Sequence, residues 1–242
     1  EIIHLPEFDP TMAKQQLADV EQIQIDSVVI EQLRSLISSI ASMYRPNSFH
    51  NFEHASHVVM SVIKLMSRIV APSEDIIHMD DDRQAATLHD HTYGITSDPL
   101  TQFACAFAAL VHDVDHSGFP NAQLVKEETR IARIYGNRSV TEQNSLVLAW
   151  GLFMLTDYHD VRSCICPTSA EIGRFRQLVV NAVMATDIVD KDLKQLRNNR
   201  WDTAFKNQSS VSLSSLLLSD RSSRKDAIDR KATIVIEHLI QA

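Results

Sequence analysis

An all-α architecture is predicted by three features of the chain. Glycine and proline are sparse, 5 and 7 in 242 residues. Neither Asn-Gly nor Asp-Gly, the pairs that favour tight β-hairpin turns, occurs anywhere in it. Apolar residues recur at the three-and-four spacing of a helix face, and at 44% of the composition they suffice for one substantial core.

Residues 28–44, VVIEQLRSLISSIASMY, put Val29, Leu33, Leu36, Ile40 and Met43 on one face. Arg-Pro-Asn at 45–47 interrupts that helix and leaves Asn47 or Ser48 to cap the next. The second helix carries three histidines and extends its apolar face through Val58, Val59, Val62, Ile63, Leu65, Met66 and Ile69, with APSED at 71–75 as its end. LTQFACAFAALVHD at 100–113 is apolar almost all round, as a buried helix is. Two further helical stretches are TEQNSLVLAWGLFMLT at 141–156 and EIGRFRQLVVNAVMAT at 171–186. YGITSDP at 93–99 and NQSSVSLSSLLLSDRSS at 207–223, with eight serines among residues 209–223, read as connections. The last stretch keeps Ile228, Ala232, Val235, Leu239 and Ala242 in helical register without a stop signal. Because the chain opens on Glu1 and closes inside that helix, it is expected to be a fragment of a longer protein.

Charge and cysteine usage narrow the function classes. Asp and Glu outnumber Lys and Arg by 31 to 23, and no basic run appears, so nucleic acid is not an expected partner. Cys105, Cys164 and Cys166 lack the second pair that a zinc ribbon needs, and reduced, intracellular thiols are the expected state. The longest apolar run, FACAFAALV at 103–111, is about half of what a bilayer crossing requires, and no signal-peptide pattern opens the chain. The segment is therefore expected neither to insert into a membrane nor to carry a signal.

The chemistry is concentrated in two clusters. In SFHNFEHASHV at 48–58, His50 and His54 stand at i and i+4 and His57 three residues later, so on a helix all three lean to overlapping faces. The zincin pattern H-E-x-x-H does not fit, because Asn51 follows the first histidine and Glu53 adjoins the second. In VHDVDHSG at 111–118, His112, Asp113, Asp115 and His116 converge where an apolar helix surfaces, and such groups are seldom buried unless paired or bound to metal. Imidazole nitrogens suit Zn²⁺, whereas a carboxylate can bridge to a harder Mg²⁺ or Mn²⁺.

On these residues the chain resembles a known family. FHNFEHASHV is similar to the H-N-x-x-H-A-x-x-V signature, and HDVDHSGFPN to the H-D-x-D-H-x-G-x-x-N signature, of class I 3′,5′-cyclic-nucleotide phosphodiesterases, within the HD metal-hydrolase superfamily. NRSVTEQN, with Glu142, and VMATDI, with Thr186 and Asp187, resemble two further family segments in the right order. The resemblance implies a compact multi-helix bundle of the HD/phosphodiesterase type forming a single catalytic-domain fragment over 1–242, with 1–30 as a flanking segment and the C-terminal third of the family domain absent.

It implies that His54, His112 and Asp113 ligate a tightly held Zn²⁺, and that Asp113 also reaches a second, Mg²⁺-type (or Mn²⁺) site. Two cations so placed activate water for attack on phosphorus and clamp the phosphoryl oxygens. His50 would give the leaving 3′-oxygen its proton, and His116, Glu142 and Asp187 would hold waters around the ions. The family's fourth metal ligand, an Asp, and the Gln that grips the purine fall beyond residue 242.

Departures from the family pattern are Phe49 for Tyr at the site rim, Ile188 for a pocket-lining Met, Ser117 for Pro, Asn144 and Ser145 for a His pair, and His57 for Asp. The implied reaction is hydrolysis of cAMP, cGMP or both to 5′-monophosphates, by a cytoplasmic domain of a larger, membrane-tethered or otherwise multidomain signalling protein. Two other classes compete with it. One is another HD-type nucleotide phosphohydrolase, which would lack the acid His50; the other is a non-catalytic module binding cyclic nucleotide or metal, which would have no use for that residue.

Overall fold

Helix α1 (Ser27–Ser42) begins where Asp26 accepts a hydrogen bond from the Val28 amide at 2.8 Å, and it buries Leu36 and Ile40. The computed structural model describes residues 1–11, 23–70, 80–206 and 221–241, and every regular element among them is helical.

α2 (Phe52–Val70) starts later than its sequence suggests. Neither Asn47 nor Ser48 caps it. The cap is Asn51, whose side-chain oxygen accepts from the His54 amide at 2.9 Å, so His50 lies in the bend before the helix rather than on it. Along α2, Val62 and Met66 are buried and Val58, Val59 and Leu65 are half-buried, but Ile63 and Ile69 face outward. The stretch 71–79, with APSED, lies outside the described residues.

α3 (Asp81–His91), capped by Asp80, was not legible as a helix, because DDRQAATLHDH carries few apolar residues. The segment 93–99 is not wholly a connection, since Ile95–Ser97 forms a 3₁₀ turn after Gly94, whose φ of +87° suits glycine. α4 (Pro99–Val111) is the central rod, with Thr101, Ala104, Cys105, Phe107, Ala108, Ala109 and Val111 all buried. It lies between α2 and α9 (Ser169–Ala185). Small side chains on α4 allow that close approach. At its start, buried Asp98 accepts two hydrogen bonds from the Arg174 guanidinium of α9, at 2.5 and 3.0 Å, and one from Thr101 Oγ1.

Between α4 and α9 in sequence come α5 (Asn121–Lys126), α6 (Arg130–Ile134), α7 (Val140–Phe153), a 3₁₀ turn and α8 (His159–Ile165). Thr168 and Glu171 form a reciprocal capping box at the start of α9. Phe107 of α4, Phe153 of α7 and Phe175 of α9 meet with ring centroids 5.4–5.5 Å apart, and this aromatic contact fixes the three helices against each other. α10 (Lys191–Trp201) buries none of its residues and runs into a π-helical turn, Asp202–Lys206.

α11 (Arg221–Leu239) begins inside the serine-rich stretch, so residues 221–223 are helical, while 207–220 lie outside the described residues. Its core face is Ala232, Ile236 and Leu239, and Ile228 is exposed instead of joining it. The first residues also enter the core. Ile3 and Leu5 are buried, with the Ile3 amide on Thr233 Oγ1 at 2.9 Å and the Leu5 amide on Asp229 Oδ1 at 3.2 Å. All three cysteines are free thiols. Among the described residues no helix is long and apolar enough to cross a membrane.

Candidate metal centre

α4 delivers His112 and Asp113 to its own C-terminal end, where both are still buried. The turn that follows is held from two sides. Ser145 of α7, buried, donates its hydroxyl to the Val114 carbonyl at 2.7 Å. Asp115 takes a left-handed φ of +60°, donates its amide to the Met43 carbonyl, and turns its carboxylate to Arg45 and to the Asn144 side chain. Asp115 therefore does not join the cluster that its sequence position suggested. Asn144 and Ser145 instead tie α7 to the turn.

His54, His112 and Asp113 bring one ligand atom each to within 4.8 Å of one another. Asp113 Oδ2 lies 3.1 Å from His112 Nε2 and 3.6 Å from His54 Nε2, the second too long for a hydrogen bond. Two ligands at the ~2.0–2.1 Å of a zinc bond and a tetrahedral angle stand about 3.4 Å apart, and the observed pair of distances brackets that value. His112 Nδ1 donates to the Ala109 carbonyl at 2.9 Å, which fixes the tautomer and aims the Nε2 lone pair at the cluster. These donors fit a zinc ion.

Electrostatics agree with that assignment. Burial pushes the Asp113 carboxyl up and the His112 imidazole down, but the hydrogen bond and charge that pair them more than offset it, so Asp113 is held below and His112 above its ordinary range; a cation at the cluster would displace the shared Nε2 proton. Burial and the neighbouring His112 push His54 down, which keeps its lone pair available at neutral pH.

Asp113 belongs equally to a second group, His50, Asp113 and His116. The His50 and His116 rings stack at 3.7 Å, 21° from parallel. Asn47 fixes both partners from behind, donating Nδ2 to the carbonyls of His50 and His116 at 2.8 and 3.1 Å. His116 Nδ1 accepts from the Gly118 amide at 2.9 Å, so the neutral ring carries its proton on Nε2 and offers the site a donor rather than a lone pair. Burial and the adjacent His50 push His116 down to about 4. Of the two stacked rings, His116 is thus the one held neutral. Phe49, exposed at the rim, touches both histidines, with centroids 4.9 Å from His50 and 4.5 Å from His54. His57 points to solvent.

A polar wall completes the site. Glu142, in the first turn of α7, has its carboxyl pushed up chiefly by burial, with Asp187 adding to the rise, and its charge is felt at His112. Buried Asp187 accepts from the Val189 and Asp190 amides through Oδ1. Asn121 joins the two carboxylates, donating to Glu142 Oε2 at 2.8 Å and Asp187 Oδ2 at 3.3 Å. It ends the HDVDHSGFPN motif, yet nothing in its spacing marked it as part of the wall. Thr186 spends its hydroxyl on the Val183 carbonyl of its own helix, and Ile188 is exposed beside the wall. A cavity of about 490 Å³ between α4, α7 and α9, lined by residues such as Trp150 and Val179, touches none of these groups.

Comparison with known proteins adds four findings. A family model described as 3′5′-cyclic nucleotide phosphodiesterase matches residues 49–241. The human cGMP-inhibited 3′,5′-cyclic phosphodiesterase 3A is 28% identical over 70% of this chain and 17% of its own length. The probable 3′,5′-cyclic-AMP phosphodiesterase pde-4 of Caenorhabditis elegans is 31% identical over 60% of this chain and 18% of its own. The crystal structure of the phosphodiesterase domain of the RhoPDE fusion protein from the choanoflagellate Salpingoeca rosetta aligns over 98% of this chain and 65% of that one, with a TM-score of 0.58 and 19% identity. The chain thus spans under a fifth of these curated relatives and about two-thirds of the solved domain.

Proposed function

The chain belongs to the 3′5′-cyclic nucleotide phosphodiesterase family, and from that premise we propose that its domain hydrolyses 3′,5′-cyclic nucleotides, cAMP or cGMP, to 5′-monophosphates. The observation that carries the proposal is Asp113, shared between a His54–His112 group and a His50–His116 group. His54, His112 and Asp113 would hold Zn²⁺, and Asp113 together with the waters of the polar wall would hold Mg²⁺ or Mn²⁺. Such ions, when bound, polarise the phosphodiester and activate water.

The chain's own groups supply the rest. His50 donates a proton to the departing 3′-oxygen, held in place by its stack on neutral His116 and by Asn47. Glu142 and Asp187 orient water, and Phe49 and Ile188 offer apolar surface for a base at the rim. The 17–18% share of the human and nematode relatives that this chain spans, and the occurrence of the solved choanoflagellate domain in a fusion protein, support a setting in a larger signalling protein, in which we place this domain on the cytoplasmic side.

The test is hydrolysis of cAMP and cGMP by the full-length protein, with metal content measured alongside. His50→Ala should lower kcat by about 10²–10⁴-fold with zinc content unchanged. Equal rates would remove His50 from the acid role, and nucleotide binding without turnover by the parent protein would point to a regulatory module.

A further inference from the structure

Asn121 opens α5 and sits half-buried among α5, α7 and the end of α9. Its amide is fully subscribed. An asparagine side chain has two N–H donors and two lone pairs on oxygen. Here the donors meet Glu142 Oε2 at 2.8 Å and Asp187 Oδ2 at 3.3 Å, and the oxygen accepts from Thr141 N at 3.0 Å and lies 3.0 Å from Thr141 Oγ1, whose one hydrogen is shared between it and Glu142 Oε2 at 3.1 Å.

The geometry points to Asn121 as the positioning residue of this site: one amide sets the distance between the Glu142 and Asp187 carboxylates, and with it the affinity of the second divalent cation. The inference rests on the function proposed above and assigns it a residue that neither carries charge nor ligates metal.

Three observations support it. Glu142 lies in the first turn of α7 and Asp187 two residues past the end of α9, and among the described residues neither carboxylate has a Lys or Arg partner within 4.0 Å, so the group that joins them against their mutual repulsion is Asn121, Thr141 Oγ1 reaching Glu142 alone. Asp187 Oδ1 is already occupied by the Val189 and Asp190 amides, which leaves Oδ2, the atom Asn121 holds, to face the wall. Two oxygens bound to one NH₂ group across its ~120° H–N–H angle stand about 5 Å apart, a span that one water bridges with two hydrogen bonds. The same amide satisfies the Thr141 N–H, an orphan donor in the first turn of α7, so the position of Glu142 and the start of its helix are set together.

The experiment measures Mn²⁺ binding to the full-length protein by titration calorimetry and electron paramagnetic resonance, with thermal unfolding and cyclic-nucleotide hydrolysis recorded separately. Asn121→Ala should weaken Mn²⁺ binding about 10-fold, within the range found for residues that support metal sites. In a Glu142→Ala background the same substitution should weaken it by less than about 3-fold, since the partner is already gone. Unchanged Mn²⁺ affinity in Asn121→Ala, or losses that simply multiply in the double variant, would overturn the inference. So would a parent protein that binds no Mn²⁺.

If Asn121→Ala does not fold, Asn121→Asp is read instead. It keeps an oxygen for Thr141 N, has no N–H to offer, and adds a charge that drives the two carboxylates apart, so weaker binding is again expected and wild-type or tighter binding overturns the inference. Weakened Mn²⁺ binding in a protein that hydrolyses neither nucleotide would leave the role of Asn121 standing and sink the proposed function. Normal hydrolysis with Mn²⁺ affinity untouched by the substitution would do the reverse.

Discussion

Replacing Arg174 by Met should destabilise the domain more than any surface ion pair could. Arg174 makes a two-pronged contact with Asp98, which is 3% exposed at the entrance to α4. Without the guanidinium, Asp98 keeps only the Thr101 hydroxyl among its side-chain partners, and an ionised carboxylate is left in a site closed to water. Breaking a buried pair from one side costs about 3–5 kcal/mol, and because the Arg174 side chain retains 24% exposure the lower end applies. In a domain of this size a loss of about 3 kcal/mol corresponds to a fall of about 6–12 °C in Tm. The double variant Asp98→Asn/Arg174→Met removes the stranded charge and should recover at least half of that loss. Urea unfolding followed by circular dichroism measures all four corners of the cycle. A loss below about 1 kcal/mol in Arg174→Met, or a double variant no more stable than it, would refute the view that this pair pins α4 to α9.

Other substitutions probe the centre and the core. His112→Ala and His54→Ala should each lose zinc on dialysis, seen by elemental analysis, with affinity falling beyond the 10–100-fold typical of supporting residues. Asn51→Ala should cost about 1 kcal/mol by removing the α2 cap, read from the urea midpoint. At pH 8 a thiol reagent should label one cysteine quickly, the exposed Cys164, and reach Cys105 and Cys166 only on unfolding. Burial pushes Cys105 up to about 12 and Cys166 up to about 11 from an ordinary 9.0. A raised folded value means that the native state holds those protons more tightly. The stability they contribute is therefore complete below about pH 9 and is lost as pH rises toward 11–12, and Cys166→Ala should flatten part of that fall in Tm.

The long apolar helices were legible because each carries enough buried surface to impose its period on the sequence, as Leu36 and Ile40 do in α1 and Phe107 and Val111 in α4. α10 was not, because KDLKQLRNNRW buries nothing, and a helix without an apolar stripe leaves no period to read. α5, α6 and α8 are too short to show one. In the site, His54, His112 and Asp113 were identified by motif and do converge. What the i, i+4 spacing of His50 and His54 could not reveal is that Asn51 starts the helix between them, placing His50 in a bend and against His116. Asp115 shows the opposite failure. Its neighbours placed it in the converging cluster, but a positive φ and Arg45 take its carboxylate elsewhere, and backbone handedness at a single residue leaves no trace in spacing. Asn121 stood in plain view, and only the fold reveals that Glu142 and Asp187 flank it.

The small side chains of α4 bear on how this domain can tolerate change. Ala104, Ala108 and Ala109 are at most 1% exposed, so an added methylene has no free space to enter and costs about 1–3 kcal/mol if the backbone yields. A helix that yields moves as one body, and His112 and Asp113 ride on its far end while His54 remains on α2. Enlargement at an alanine about one or two turns away would therefore open the His54–Asp113 gap and surface as lost metal rather than lost fold. In a saturation scan scored by zinc retention, the positions least forgiving of substitution outside the centre should include these alanines, residues with no chemistry of their own.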